Sequence, residues 1–158
     1  MTGRAVPNEI IIPSIKMFID EGHTATFLVR GWSMRPFLEH ERDNVLLAPV
    51  RDDEPVRRGD VVLAEIATKV YVLHRVVRVD GDRLTLRGDG NAYGEEHCLR
   101  SNVIGRAVGF FRKGREEADK VTDAKWRIYS ALWPSNSFLR RCLLFLFRKT
   151  LFRRSGRN

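Results

Sequence analysis

Hydrophobic and polar positions along the chain follow three successive rhythms. Residues 8–21 carry apolar side chains at helical spacing, with Asn8 as a candidate N-cap, Gly22 as a stop, and Pro13 predicting a kink or a later start. From Thr24 the spacing changes to short β-type runs. These predict strands over Ala25–Arg30, Asn44–Ala48, Asp60–Ile66, Val70–Val79, Arg83–Arg87 and Val103–Phe111. Asp80-Gly81-Asp82 joins two of them as a hairpin turn. Lys113–Asp123 is polar and reads as a linker or the start of a helix. Helical spacing returns over 124–153 and breaks at Pro134.

This order predicts a mainly β fold. A compact antiparallel β domain spans 24–112, preceded by a short N-terminal helix within 1–23 and followed by 113–158 as linker and basic amphipathic helical tail. No internal repeat or low-complexity tract is present. A chain of 158 residues buries a core without disulfides.

Charge sharpens the division. Lys and Arg number 15 against 16 Asp and Glu in residues 1–110, but 13 against 4 in residues 111–158. The whole excess of positive charge therefore sits in the tail, and the tail rather than the body is expected to meet an anionic partner. Residues 126–154 mix bulky apolar and basic side chains, as an interfacial helix on an anionic membrane surface would. Docking of that face on the β domain or a partner is the competing reading, and the tail is expected to be removable without unfolding the β domain. No nucleic-acid-binding module is recognised, so nucleic acid is not an expected partner.

Cys98 and Cys142 form no metal-type or redox spacing, which fits a reducing compartment. Cys142 reads as a buried or membrane-facing small hydrophobe. The first 22 residues lack signal-peptide form, and the longest apolar run is Cys142–Phe147, far short of a bilayer span. No transmembrane anchor, cofactor or metal is expected. The expected location is cytoplasmic, peripheral at the inner membrane face if the tail engages lipid.

The densest chemical signal is Gly31-Trp32-Ser33-Met34-Arg35-Pro36. A strand leads into a glycine that permits a tight turn, then a serine, then a proline that fixes the chain. Such a turn can expose a hydroxyl beside a backbone N–H able to bind an oxyanion. Downstream, Val70–Val77 holds His74 in an otherwise apolar segment, and Gly88-Asp89-Gly90-Asn91 is a turn headed by a carboxylate.

Taken in order, these pieces resemble the signal peptidase I and LexA-like serine peptidase superfamily of S24/S26 type. The matching residues are Ser33–Pro36, Asp43–Val45, Gly59–Val62, His74–Val76, Gly88–Asn91 and Val103–Arg106, and the resemblance covers roughly 24–112. Most bacterial relatives use a Ser-Lys dyad, whereas the archaeal and endoplasmic-reticulum type has His at the lysine position. His74 places this chain with the Ser-His branch, without the N-terminal transmembrane anchor. Arg42 stands where the family often has glycine. Gly31 stands where some members carry a hydroxyl, so the oxyanion hole would rest on backbone N–H groups.

The resemblance implies a serine endopeptidase that cleaves an extended peptide or propeptide bound by β-augmentation. Ser33 would be the nucleophile and also supply its backbone N–H to the oxyanion hole. His74 would be the general base, and Met34 and Pro36 would contact substrate. For the third member, Asp89 is the cleaner motif match, and Glu95, with Glu96 beside it, is the alternative. The other functional reading is a non-catalytic module that grips a peptide or membrane-bound partner on the same scaffold.

Overall fold

The computed structural model describes residues 8–155, and side-chain surroundings for residues 10–150. Helix α1 (Asn8–Asp20) runs through Pro13 without interruption. It buries Ile12, Ile15 and Ile19, one stripe at helical spacing. Its end is a Schellman closure. The Gly22 N–H donates to Ile19 O at 2.9 Å, the His23 N–H donates to Phe18 O at 2.9 Å, and Gly22 has φ +87°.

Eight strands among the described residues form one antiparallel sheet. They are β1 (Ala25–Leu28), β2 (Asn44–Ala48), β3 (Val61–Ala67), β4 (Val70–Asp80), β5 (Arg83–Arg87), β6 (Glu96–Leu99), β7 (Val103–Phe111) and β8 (Asp119–Lys120). The spatial order is β1-β2-β7-β3-β4-β5-β6, with β8 on β7. Strand β3 is buried on both faces, because alternate side chains point to opposite sides. Val61 and Leu63 join the larger core with α1, while Val62 and Ala64 join Val76, Leu84 and Leu86. The fold is therefore the mainly β class expected, with six of its strands at or within two residues of their expected bounds.

The two short strands β6 and β8 were not anticipated. Each has few residues and little apolar alternation, and each owes its extended form to a neighbour, β5 or β7. The stretch expected as a linker thus contains β8.

The C-terminal region forms α2 (Ala124–Leu132) and α3 (Ser137–Ser155). Pro134 separates them. The Asn136 side chain caps α3 by accepting the N–H groups of Phe138 and Leu139 at 2.8 and 3.3 Å. These helices do not stand apart from the sheet. Trp126 of α2 is buried against Phe37, with ring centroids 3.4 Å apart, and against Phe110 at 4.9 Å. Arg140 and Leu144 of α3 are buried as well.

Candidate functional site

Ser33 opens a tight turn immediately after β1 and its short extension. Gly31, at φ +98°, lets the chain reverse, and its N–H donates to His40 Nδ1 at 2.9 Å. The turn closes with Arg35 N–H to Trp32 O and Leu38 N–H to Met34 O, at 3.2 and 3.0 Å. The Arg35–Pro36 peptide is cis. Among the described residues, the Ser33 N–H donates to no carbonyl or side chain.

Two distant features hold this turn. Asp43, fully buried, accepts both Arg42 nitrogens at 2.8 Å, the Glu39 N–H at 2.9 Å and Arg112 Nη1 at 2.7 Å. Arg112 also donates to Phe37 O at 2.5 Å. Burial opposes the charge of Asp43, yet these donors hold its pKa below the ordinary carboxylate value. The second feature is the Gly88–Asn91 turn, where the Gly90 N–H donates to Ser33 O at 2.7 Å. A Cβ on Gly88 would lie 2.3 Å from Ser33 O, and one on Gly90 would lie 2.7 Å from Trp32 O. Glycine is needed at both positions because the serine's own backbone occupies the space.

His74 lies at the middle of β4, 4 % exposed. Its Nδ1 is 2.9 Å from Glu96 Oε2, the first residue of β6. A carboxylate at Nδ1 fixes the tautomer with the proton there and leaves Nε2 as the basic nitrogen. Burial lowers the His74 pKa below its ordinary value, with the attraction of Glu96 and then Asp89 opposing that fall. The neutral ring required of a general base is therefore the stable form at neutral pH.

The carboxylate on His74 is thus Glu96, not Asp89 or Glu95. Asp89 is fully buried and paired with Arg75, accepting Nε at 2.8 Å and Nη2 at 2.7 Å, and it accepts the Tyr129 hydroxyl of α2 at 3.1 Å. Neighbouring side chains in a strand point to opposite faces, so His74 and Arg75 look different ways and Asp89 goes with Arg75. The same alternation sends Glu95 toward Arg87, at 3.9 Å, while Glu96 reaches His74. Burial alone would lower the Arg75 pKa, and its two hydrogen bonds to Asp89, the charge of that carboxylate and weaker attractions to Tyr129 and Asp60 more than reverse that. Tyr129 is pushed up, first by burial and then by the Asp89 charge, so it stays a neutral donor.

Ser33 and His74 line one pocket of about 100 Å³, together with Ile12, Phe27, Val29, Met34, Leu63 and Tyr71. No hydrogen bond joins Ser33 to His74 among the described residues. Catalytic hydrogen bonds are often long before substrate binds. The pocket lies between two open strand edges. Strand β1 ends the sheet, and β5 pairs only with Arg75–Asp80, leaving the outer edge of Val70–His74 uncovered. Met34 is a lining residue, whereas Pro36 is not among them. Among the described residues, no three His, Cys, Asp or Glu side chains gather as metal ligands.

Sequence reasoning did not single out Trp32, His40, Arg75 or Tyr129. Trp32 is exposed beside Ser33, tilted on the His40 ring at 4.5 Å, with the Arg35 guanidinium 3.7 Å from its ring centroid. Nothing in local spacing marks such a contact. For Glu96, the signal was the alternation of a four-residue strand, legible only once β5 is known as its partner.

The antiparallel β scaffold thus brings a serine turn and a buried strand histidine to one pocket, with a carboxylate on the far nitrogen of that histidine. Residues 5–108 match the Peptidase S24-like family, and the chain belongs to that family. No match was found among curated proteins. The end of β7, strand β8 and both C-terminal helices lie beyond the matched residues.

Proposed function

We propose that the chain is a serine endopeptidase of Ser-His type, with Glu96 as the residue that orients the base. The observation that carries this reading is the 2.9 Å contact of Glu96 with His74 Nδ1, on a ring that shares its pocket with Ser33. The Ser33 hydroxyl is a weak nucleophile until a base removes its proton. His74 Nε2 takes that proton as Ser33 Oγ attacks the scissile carbonyl. The resulting imidazolium is stabilised by Glu96, which stays ionised. The carbonyl oxygen, now negative, accepts the Ser33 N–H, which has no other acceptor among the described residues. His74 then gives the proton to the leaving amine, and water releases the acyl group by the same steps.

The two open edges flanking the pocket support an extended substrate. Its backbone would hydrogen-bond to β1 or to Val70–His74, while a side chain enters the pocket beside Ile12, Val29 and Leu63. A volume of about 100 Å³ favours a small aliphatic group there. Met34 contributes to the pocket wall, and Pro36 acts by shaping the turn.

The test is labelling by a serine-reactive fluorophosphonate and cleavage of a peptide library by wild type, Ser33→Ala and His74→Ala. Labelling and cleavage by wild type alone are expected. Background signal in all three would instead identify a non-catalytic peptide-binding module on this scaffold.

A further inference from the structure

The helix α3 carries two unlike faces. One is anchored. Arg140 is 1 % exposed and donates to Gly88 O at 2.9 Å and to Pro134 O at 3.1 Å, and Leu144 is buried one turn on. The other face is bare and apolar: Phe138, Leu139, Leu143, Phe145 and Leu146 are each 43–70 % exposed. A helix whose buried face is already docked has no further core to offer its second face. Exposed apolar surface concentrated on one element marks an interaction site.

Charge selects the occupant. Residues 124–158 hold nine Lys and Arg and not one Asp or Glu. Arg141, Arg148 and Lys149 are exposed on α3 itself, and the Lys149 Nζ lies 4.8 Å from the Phe145 ring centroid. A protein partner for so basic a surface would need an acidic rim around an apolar centre, and a second copy of this chain would oppose cation to cation. An anionic bilayer supplies negative headgroups over an apolar interior. Among the described residues no helix is long and apolar enough to cross a membrane. On a bilayer, a helix of this composition would lie in the interface rather than span it.

We infer that the Phe138–Leu146 face of α3, flanked by Arg141, Arg148 and Lys149, seats the protein on an anionic membrane surface. The seat is linked to the pocket. Arg140 holds Gly88 O, and the adjoining Gly90 N–H holds Ser33 O. The surface itself stands independently of the reactivity of Ser33.

The experiment is flotation of the full chain with vesicles of phosphatidylcholine alone and of phosphatidylcholine with phosphatidylglycerol. Wild type is expected to float with the anionic vesicles only, and less at high salt. Phe145→Asp with Leu146→Asp should abolish flotation. Arg148→Glu with Lys149→Glu should weaken partitioning by at least roughly fivefold per cation removed. Thermal midpoints within a few degrees of wild type show that these exposed substitutions leave the fold intact. Ser33→Ala should float as wild type, which separates this inference from the peptidase reading. No flotation of wild type, or equal flotation of all variants, overturns it. Self-association that the Phe145/Leu146 variant loses, without vesicle binding, also overturns it and makes the face a subunit contact.

Discussion

At the scale of single residues, three carboxylates that sit close in sequence have separate fates, and substitution should tell them apart. Glu96→Ala removes the partner of His74 Nδ1, a carboxylate whose side chain is 26 % exposed. It should lower kcat by at least about tenfold, and by no more than the roughly 10⁴-fold cost of a misoriented triad histidine. The thermal midpoint should barely move. Asp89→Asn leaves the buried Arg75 charge without its counter-ion, and should cost about 3–5 kcal/mol of stability in denaturant titration. Glu95→Ala loses only a 3.9 Å contact to Arg87 and should do neither. Unchanged turnover in Glu96→Ala would reject its orienting role. Ser33 and His74, which line one pocket, were legible as candidates because each lies in a motif whose local form the backbone keeps. The sequence could not choose among the carboxylates, since that choice depends on strand faces set by the pairing of β5 with β6.

His74 also sets a pH dependence. Its folded pKa is lowered by burial below the ordinary histidine value of about 6.5. Below that value the unfolded chain binds a proton that the folded chain resists, so stability falls as pH drops from 6.5 toward the folded pKa. The proposed mechanism needs the neutral ring, so the acid limb of kcat/KM should lie below pH 6.5. Glu96→Gln removes the charge that opposes the fall, and should move any residual limb to still lower pH. A limb at or above 6.5 in wild type would contradict this environment for His74.

At the scale of elements, the Gly88–Asn91 turn acts as a rest for the serine turn. Gly88→Ala places a methyl 2.3 Å from Ser33 O, against backbone that has no rotamer to yield. A destabilisation of about 1–3 kcal/mol is expected. Turnover should fall further than that cost explains, because the displaced atom belongs to Ser33, the proposed nucleophile. Gly81→Ala, at φ +58° in the β4–β5 hairpin with nothing near its Cβ, is the matched control. It should cost stability by backbone strain alone and leave kcat unchanged. The β4–β5 hairpin was legible from Asp80-Gly81-Asp82, since the turn chemistry is local. The reason for glycine at 88 was not, because the carbonyl that excludes a side chain comes from 55 positions earlier in the chain.

At the scale of the whole molecule, the C-terminal helices are wedged into the architecture that supports the site. Phe37, from the serine turn, meets Trp126 and Tyr129 of α2 at 3.4 and 5.1 Å, and Phe110 of β7 edge-on at 4.7 Å. Arg75 bridges the same region, donating to Asp89, to Gly59 O and to Ser130 of α2. The basic composition of 111–158 suggested an appendage that could be cut away, and its charge concealed Trp126, Tyr129 and Arg140 as anchors. Deletion of 124–158 uncovers Phe37 and Phe110, strips Asp89 of the Tyr129 hydroxyl and frees Gly88 O from Arg140. The truncated chain should therefore lose several degrees of thermal midpoint and lose probe labelling at Ser33 together. Trp126→Ala, a truncation of one buried aromatic, should reproduce much of that loss, about 3–5 kcal/mol, while keeping every cation of the tail. The exposed-face variant Phe145→Asp with Leu146→Asp should keep both stability and labelling. If the deletion instead left midpoint and labelling intact, the helices would be a separable attachment and the site would be complete within the sheet and its turns.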